Sequence, residues 1–480
     1  MIIRPLLLAL LAPLATFAAD PAYTIVVQEA TAAKPEWKAV VDALQKKYPH
    51  ATVATWKTGV DETLPTLQKN HPRYTCFVAE HQTASRAFVG AVHHLTRQYD
   101  ADPYTDTFWG ILTGYDAANA LSIAQNAQPL TVKKVASGTE LAMDKIVEGI
   151  WYCELREGHS VKKDAGKTPE SRSGAGDSTF ALVDTLNVYD ADLFVTSGHA
   201  TERDWQIGFR YKNGTFRARN GVLYGKNLKG EERNVDSPSP KVYLPIGNCL
   251  MGHIDTQDAM ALAWMNSAGV HQMIGYTIPT WYGYAGWGLL DYFVEQPGRY
   301  TMNEAFIGNQ HALMHRLTKS FPGMQEKVGF PQSLQYRPSR ISMDQNMARK
   351  LGVKPGDIRG LIFDRDVVAF YGDPAWEARM AEHPLHYTQS LTRDGDTWTL
   401  TVTPNNGATS FAPVNTNGAQ RGNRPIVAHL PARIGKATVL AGQEWLPEIT
   451  DDFVLVPNPG SLPEGTQQVV VQFSAAKLTP

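Results

Sequence analysis

The sequence has 480 residues, of which 43% are hydrophobic and 19% are charged, the composition of an ordinary folded protein with several domains. Its formal net charge is −2, without the excess of Lys and Arg that is typical of nucleic-acid-binding proteins, so no nucleic-acid partner is expected. Only three cysteines occur, which excludes a small disulfide-rich scaffold.

The first 19 residues have the pattern of a secretory signal peptide. Arg4 precedes an apolar run at 6–14, and the small residues Ala18 and Ala19 follow where cleavage is expected. A membrane anchor is the weaker interpretation, because this run is shorter than the roughly 20 residues that a membrane span needs. We therefore expect residues 1–19 to be removed and the mature protein to be exported, without stable insertion in a membrane.

Strands alternate with helices along most of the mature chain. Strands are predicted at 23–28, 51–56, 74–79, 192–196, 241–246, 270–276 and 367–371. Helices are predicted at 37–47, 62–70, 258–267 and 303–317. This alternation is typical of βαβ units, so an α/β fold with a parallel sheet is predicted.

The pattern changes to short β-rich runs near residue 386. These runs are separated by Pro, Gly and Asn and predict strands at 398–403, 425–430, 437–440, 453–456 and 467–473. Runs of this kind over about 100 residues are typical of a β-sandwich.

The mature chain is accordingly divided into three parts. We predict an N-terminal α/β subdomain at 20–155, a catalytic α/β subdomain at 156–384 and an all-β sandwich at 385–480. Residues 157–178 are rich in Lys, Ser, Gly and Asp and are predicted to form an exposed loop. The sandwich is expected to be separable, since such a module buries its own core.

Two predicted strands are each followed by a residue whose side chain can take part in catalysis. The segment DLFVTSGHATERDWQIG, at 192–208, places His199 directly after a buried strand, and KVYLPIGNCLMGHID, at 241–255, does the same for Cys249. In open α/β sheets, ligands and chemistry collect just past the carboxyl ends of strands. A cysteine thiolate is a nucleophile, and a nearby histidine takes its proton. If the two strands are neighbours, the pair forms a catalytic dyad.

The other two cysteines are predicted to be structural. Cys76 lies inside an apolar run, where a free cysteine behaves as a small hydrophobic residue. Cys153 receives the same interpretation. A Cys76–Cys153 disulfide stays open as an alternative, because its formation depends on a geometry that the sequence does not contain.

Several motifs around the dyad resemble those of gingipain-like cysteine peptidases, within the caspase–gingipain class. SGHATERDW is similar to the Gly-His-Gly-x-x-x-x-Trp segment of that family, and GNCLMG to its Cys-x-x-Gly turn. MIGYTIPTW and AFYGDPAW resemble the strands that follow, and DADPYTDTFWGILTG an earlier acidic-aromatic segment. The resemblance covers about residues 70–480. It implies a caspase/gingipain-like parallel-sheet catalytic region followed by an immunoglobulin-like sandwich.

The resemblance also implies roles for individual residues. Cys249 would attack the scissile carbonyl and His199 would act as acid and base. The backbone N–H groups of Cys249 and Ala200 would hold the oxyanion, and Glu154 matches an acid that orients the histidine. The family has Gly where this chain has Ala200, and commonly Ala where it has Asn248. The expected activity is hydrolysis of polypeptides by an endopeptidase that needs no cofactor.

The residues that bind the substrate are predicted from the loops near the dyad. Trp281 and Tyr282, in the aromatic-glycine run TWYGYAGWG, are candidates for a pocket wall, with core packing as the alternative. An indole face suits a Lys or Arg stem, whose cationic head needs an acid such as Asp204, Asp255 or Asp291. We therefore predict cleavage after a basic residue, with a pocket for Asp or Asn as the competing hypothesis.

Two other interpretations compete with the peptidase. His199, His253 and Asp255 offer imidazole and carboxylate groups that suit zinc, but their spacing matches no known zinc pattern, so no metal is expected. A secreted binding or scaffold protein with a catalytically inactive peptidase-like fold is the second, since a fold does not guarantee an activity.

Overall fold

The computed structural model describes residues 22–323, 345–350 and 353–478. The predicted signal peptide at 1–19 lies outside the described residues. Of the described helices, none is both long and apolar enough to cross a membrane.

A mixed sheet of twelve strands forms the centre of the molecule. Its order is β2-β1-β3-β4-β17-β16-β15-β10-β6-β7-β8-β9. The strands in this order are Thr52–Trp56, Tyr23–Gln28, Tyr74–Val78, Phe108–Leu112, Val368–Gly372, Val270–Tyr276, Lys241–Pro245, Leu193–Thr196, Lys134–Ser137, Glu148–Tyr152, His159–Lys163 and Glu170–Ser173. Most neighbours are parallel; β16–β17, β7–β8 and β8–β9 are antiparallel. The predicted α/β class with a largely parallel sheet is confirmed.

Strands at the middle of this sheet are buried on both faces. Every residue of β10, β15, β16 and β17 is buried. Helices cover both faces of such a sheet, which is why these strands read as continuous apolar runs in the sequence.

Helices connect and cover the strands. In chain order, α1 to α11 are Glu29–Ala32, Pro35–Lys47, Leu64–Asn70, Arg86–Leu95, Ala117–Gln125, Thr179–Asn187, Met260–Ser267, Tyr284–Leu289, Met302–Ser320, Gln345–Lys350 and Asp357–Asp364. The longest, α9, starts with a capping box in which Thr301 Oγ1 accepts from Glu304 N while Glu304 Oε2 accepts from Thr301 N.

Two smaller sheets accompany the central sheet. A four-stranded antiparallel sheet consists of β11 (Asp204–Gln206), β12 (Thr215–Arg219), β13 (Val222–Lys226) and β14 (Glu232–Asn234). The strands β5 (Leu130–Val132) and β18 (Ala378–Met380) pair in parallel.

The segment 157–178 is not only a loop, as the sequence suggested. It contains β8 and β9, which pair antiparallel and extend the central sheet by two strands. All four residues of β9 are exposed, so the segment carries no apolar alternation that would identify it as a strand. The predicted boundary at 155/156 falls between the paired strands β7 and β8, and both predicted α/β subdomains contribute to one sheet.

The C-terminal region contains two antiparallel sheets. One has the order β19-β20-β25-β22, the other β21-β24-β23. The strands β19 to β25 are Tyr387–Asp394, Thr397–Pro404, Ile426–His429, Thr438–Ala441, Glu448–Ile449, Phe453–Val456 and Val469–Ser474. Leu400 and Val471 of the first sheet and Val454 of the second belong to one buried apolar cluster, so the two sheets pack face to face. We call residues 385–478 the C-terminal module.

The module is packed tightly against the α/β region. Side chains alternate along β24, so Val454 and Val456 enter the core of the module while Phe453 and Leu455 enter the α/β core. The Phe453 ring stacks on that of His311, in α9, with centroids 4.0 Å apart. The three-stranded sheet therefore has both faces buried, and the module is an integral part of the fold.

The buried histidine at this interface gives a prediction for stability against pH. Burial, with a smaller effect of His429, lowers the pKa of His311 to about 3, and its Nε2 lies 3.1 Å from the carbonyl of Thr105. An unfolded histidine titrates near 6.5, so between about pH 6.5 and 3 the unfolded chain binds more protons, and stability falls on acidification.

The variant His311→Gln keeps a donor for Thr105 but removes the titrating imidazole. We expect its free energy of unfolding to fall by about 2 kcal/mol less than that of the parent chain between pH 7 and pH 5. Denaturant unfolding at the two pH values measures this difference. Equal losses in both proteins would contradict the assignment.

Candidate active site

The carboxyl ends of β10 and β15 place His199 and Cys249 at the same edge of the sheet. The two strands are adjacent and parallel, with Thr196 opposite Pro245, and Ile246 N donates to Thr196 O at 3.0 Å. His199 follows three residues after Thr196 and Cys249 four residues after Pro245. The structure therefore brings the two loops together as neighbours.

One glycine conformation and two contacts shape the loop that carries His199. Gly198 has a φ of +92°, a conformation that favours glycine, and it turns the chain away from the strand. Trp205 is fully buried, and its Nε1 donates to Ser197 O at 2.9 Å. The ring of Phe209 stacks on the imidazole of His199, with centroids 5.0 Å apart. The imidazole is thus supported on one face while His199 remains exposed.

Asn248 joins the two loops. Its side chain is fully buried, and its Oδ1 accepts from Thr196 Oγ1 at 2.6 Å while its Nδ2 donates to Gly198 O at 3.2 Å. The departure from the family pattern at this position therefore adds hydrogen bonds between the two strand ends and does not fill the site.

The turn at Cys249 is held by the loop after β16. Thr280 N donates to Cys249 Sγ at 3.3 Å, and Thr280 Oγ1 donates to Asn248 O at 3.2 Å. Leu250 adopts a φ of 58°, a strained conformation for a leucine. Two hydrogen bonds maintain this conformation: Leu250 N donates to Ile278 O, and His253 N donates to Leu250 O. Cys249 is half-buried, so its sulfur is fixed in position yet partly open to solvent.

The main-chain donors expected for an oxyanion are free. The backbone N–H groups of Cys249 and Ala200 donate no hydrogen bond within the described residues. Ala200 is absent from the residues with positive φ, so its position does not require glycine. An N–H without an acceptor is available to a developing negative charge.

Glu154 is buried near the histidine loop, but its carboxylate does not bind His199. It accepts from Thr139 Oγ1, Trp151 Nε1 and Asn417 Nδ2 at 3.1, 3.1 and 3.0 Å. Its backbone carbonyl accepts from Phe209 N at 2.6 Å, and Phe209 stacks on His199. The hydrogen bonds of the Glu154 carboxylate thus go to Thr139, Trp151 and Asn417, and its contact with the histidine loop is made by its backbone through Phe209.

The acids that the sequence suggested for a basic pocket are already paired with arginines. Asp255 forms a bidentate pair with Arg203 at 2.8 Å, and Asp204 lies 3.9 Å from Arg217. Asp291 is buried between Arg421 and Arg424, at 2.9 Å from each. A carboxylate that is closely paired, as those of Asp255 and Asp291 are, is a poor acceptor for a substrate cation.

Trp281 and Tyr282 differ in burial. Tyr282 is buried and its hydroxyl donates to Asp357 Oδ1 at 3.0 Å, so it packs in the core and is not a pocket wall. Trp281 is 47% exposed and follows Thr280, the residue that contacts Cys249. The guanidinium of Arg359 lies over its ring, 5.3 Å from the ring centroid, so one face of the indole already contacts a cation of the protein itself.

Two acids near the histidine loop, Glu140 and Glu154, share a contact with Asn417 that the sequence did not reveal. Asn417 Nδ2 donates to Glu140 Oε2 at 2.9 Å and to Glu154 Oε1 at 3.0 Å. Within the described part of the chain, no lysine or arginine forms an ion pair with Glu140 or Glu154. No local signal connects Asn417 to these residues, because it belongs to the C-terminal module.

All three cysteines are free, so the Cys76–Cys153 disulfide is not formed. Cys76 and Cys153 are buried, and burial raises the pKa of the Cys76 thiol. Cys249 is therefore the most accessible thiol of the three.

Two groups of side chains have the spacing of metal ligands, and both lie away from the dyad. They are His71, Asp100 and Asp106, and Asp100, Asp102 and Asp451. The segment 100–106 precedes β4, which is three strands from β15 in the sheet. Within the described residues, neither group includes His199, His253 or Asp255.

No protein-family model matches this chain, and no curated protein matches it either.

Proposed function

We propose that the protein is an exported cysteine endopeptidase with a caspase/gingipain-like catalytic region and an immunoglobulin-like C-terminal module. The observation that carries this proposal is the placement of His199 and Cys249 after paired strands, with Asn248 of the cysteine loop hydrogen-bonded to Thr196 and Gly198. The signal-peptide pattern at 1–19 supports export.

The reaction follows from the groups at this edge. Cys249 Sγ attacks the scissile carbonyl carbon, and His199 takes the thiol proton and gives it to the leaving amine. The N–H groups of Cys249 and Ala200 stabilise the oxyanion of the tetrahedral intermediate. Water, activated by His199, then hydrolyses the thioester and releases the acid product with the thiol restored.

The charges favour a substrate with a basic residue before the cut. Among the described residues no lysine or arginine forms an ion pair with Glu140 or Glu154, whereas Asp255 is paired with Arg203 at 2.8 Å. Trp281 is 47% exposed, so part of its indole is open to the aliphatic stem of Lys or Arg. The cationic head of the substrate would then bind Glu140 and Glu154, which Asn417 brings together.

Fluorogenic peptides that differ only in the residue before the cut test this function. We expect cleavage after Arg or Lys. The variant Glu154→Gln should lower kcat/KM for these peptides about 10- to 100-fold, because it removes one partner of a desolvated pair of charges. Asp255→Asn is the comparator and should change kcat/KM less than about threefold, since Asp255 is already paired.

Preferential cleavage after Asp or Asn would overturn the basic specificity. A large loss of kcat/KM in Asp255→Asn, with no loss in Glu154→Gln, would show that Asp255 binds the basic residue of the substrate, as the sequence suggested.

A further inference from the structure

One loop of the C-terminal module reaches the α/β region beside the candidate active site. This loop, residues 415–421, lies between β20 and β21 and is anchored by Arg421. Arg421 Nε donates to Asp291 Oδ1 at 2.9 Å and Nη2 binds Glu295, and the three side chains are between 1% and 5% exposed. Arg421 Nη1 also donates to Asn417 O at 3.2 Å, which fixes the turn of the loop.

The loop backs the turn that carries Cys249. Gly418 has a φ of +116°, and a Cβ at this position would lie 2.4 Å from Cε3 of Trp287. On its other edge the same indole packs against Gly247, where a Cβ would lie 2.9 Å from its Nε1. Gly247 is two residues before Cys249. Trp287 is therefore packed between the module loop and the cysteine turn.

The loop also reaches the support of the histidine. The single amide nitrogen of Asn417 donates to both Glu154 and Glu140. Glu154 Oε1 accepts from Thr139 Oγ1 as well, and this hydroxyl accepts from Ser197 Oγ at 2.8 Å. Two like charges near each other repel, and a donor between them reduces that repulsion. The amide thus holds the two carboxylates in one arrangement.

We propose that the loop 415–421 completes the active site and that Asn417 is a positioning residue, which holds Glu140 and Glu154 ready for the cationic side chain of a substrate. This inference rests on the proposed function, because it assigns the substrate-binding acids of the same site. The module thereby supplies part of the specificity of the peptidase.

Binding measured in a catalytically dead background tests the inference apart from catalysis. The full chain with Cys249→Ala is titrated with a fluorescent peptide that ends in Arg, and a matched peptide that ends in Leu is the control ligand. We expect Asn417→Ala to raise Kd for the Arg peptide about 10-fold and to leave Kd for the Leu peptide unchanged. Asn417→Gln, which keeps the amide, should restore Kd to within about threefold.

Asn405→Ala is the matched control variant, because its amide binds Leu385 O in the module and does not reach the site. An unchanged Kd for the Arg peptide in Asn417→Ala, or no binding of that peptide to any variant, would overturn the inference. Equal weakening of both peptides, with a lower melting temperature, would show a purely structural role and would overturn it too. Binding of the Arg peptide that depends on Asn417, in a chain whose Cys249 form cleaves nothing, would instead contradict the proposed function alone.

Discussion

Replacing Cys249 by Ala is expected to lower kcat/KM for peptide hydrolysis by at least about 10³-fold. The sulfur is the atom that forms the bond to the scissile carbonyl, and only the oxyanion donors and substrate binding remain without it. His199→Ala should cost a comparable factor, and the double variant little more, because the two groups act as one unit. Initial rates on a fluorogenic Arg peptide measure all three losses.

The control for this experiment is Cys153→Ala, which removes a buried thiol and should change kcat/KM less than about threefold. Alkylation by iodoacetamide near neutral pH should modify Cys249 faster than Cys76 or Cys153, and His199→Ala should slow that reaction. If the parent chain hydrolyses no peptide and its three cysteines react at equal rates, the protein is the inactive binding or scaffold protein that the sequence left as an alternative.

Ending the chain at residue 384 is expected to leave no soluble catalytic region. Val427, Phe453 and Leu455 of the module are fully buried in the α/β core, so truncation exposes the apolar surface that they cover. It also leaves Asp291 and Glu295 without their arginines, and an unpaired buried charge costs about 3–5 kcal/mol. Solubility after expression and the unfolding curve of the full chain measure this dependence.

A single cooperative unfolding transition is expected for the full chain, and Phe453→Ala should lower its stability by about 3–5 kcal/mol without splitting the transition. Val188→Ala, at an 80% exposed position, is the matched control and should have little effect on stability. A soluble, folded product ending at 384, or two separate transitions, would show that the module is an independent domain as the sequence suggested.

Much of the α/β framework was predictable because its signal is local. The strands at 23–28 and 270–276 carry apolar runs long enough to identify them without any partner, and the structure has both. The same local pattern placed His199 and Cys249 at strand ends. By contrast β9 is exposed on every residue, so only its pairing with β8 makes it a strand.

The sequence by itself determined the α/β class, the strands that carry the two candidate catalytic residues and the β-rich character of the C-terminal region. Only the tertiary structure decided which acids are paired with arginines: Asp255 and Asp291 are, whereas Glu154 forms no ion pair within the described residues. It also decided that Tyr282 belongs to the core and that Asn417 reaches Glu154 from the module. The physical reason is that hydrophobic periodicity reflects burial along one element, whereas the partner of a charged or polar side chain depends on which distant segments the packed fold brings within a few ångströms.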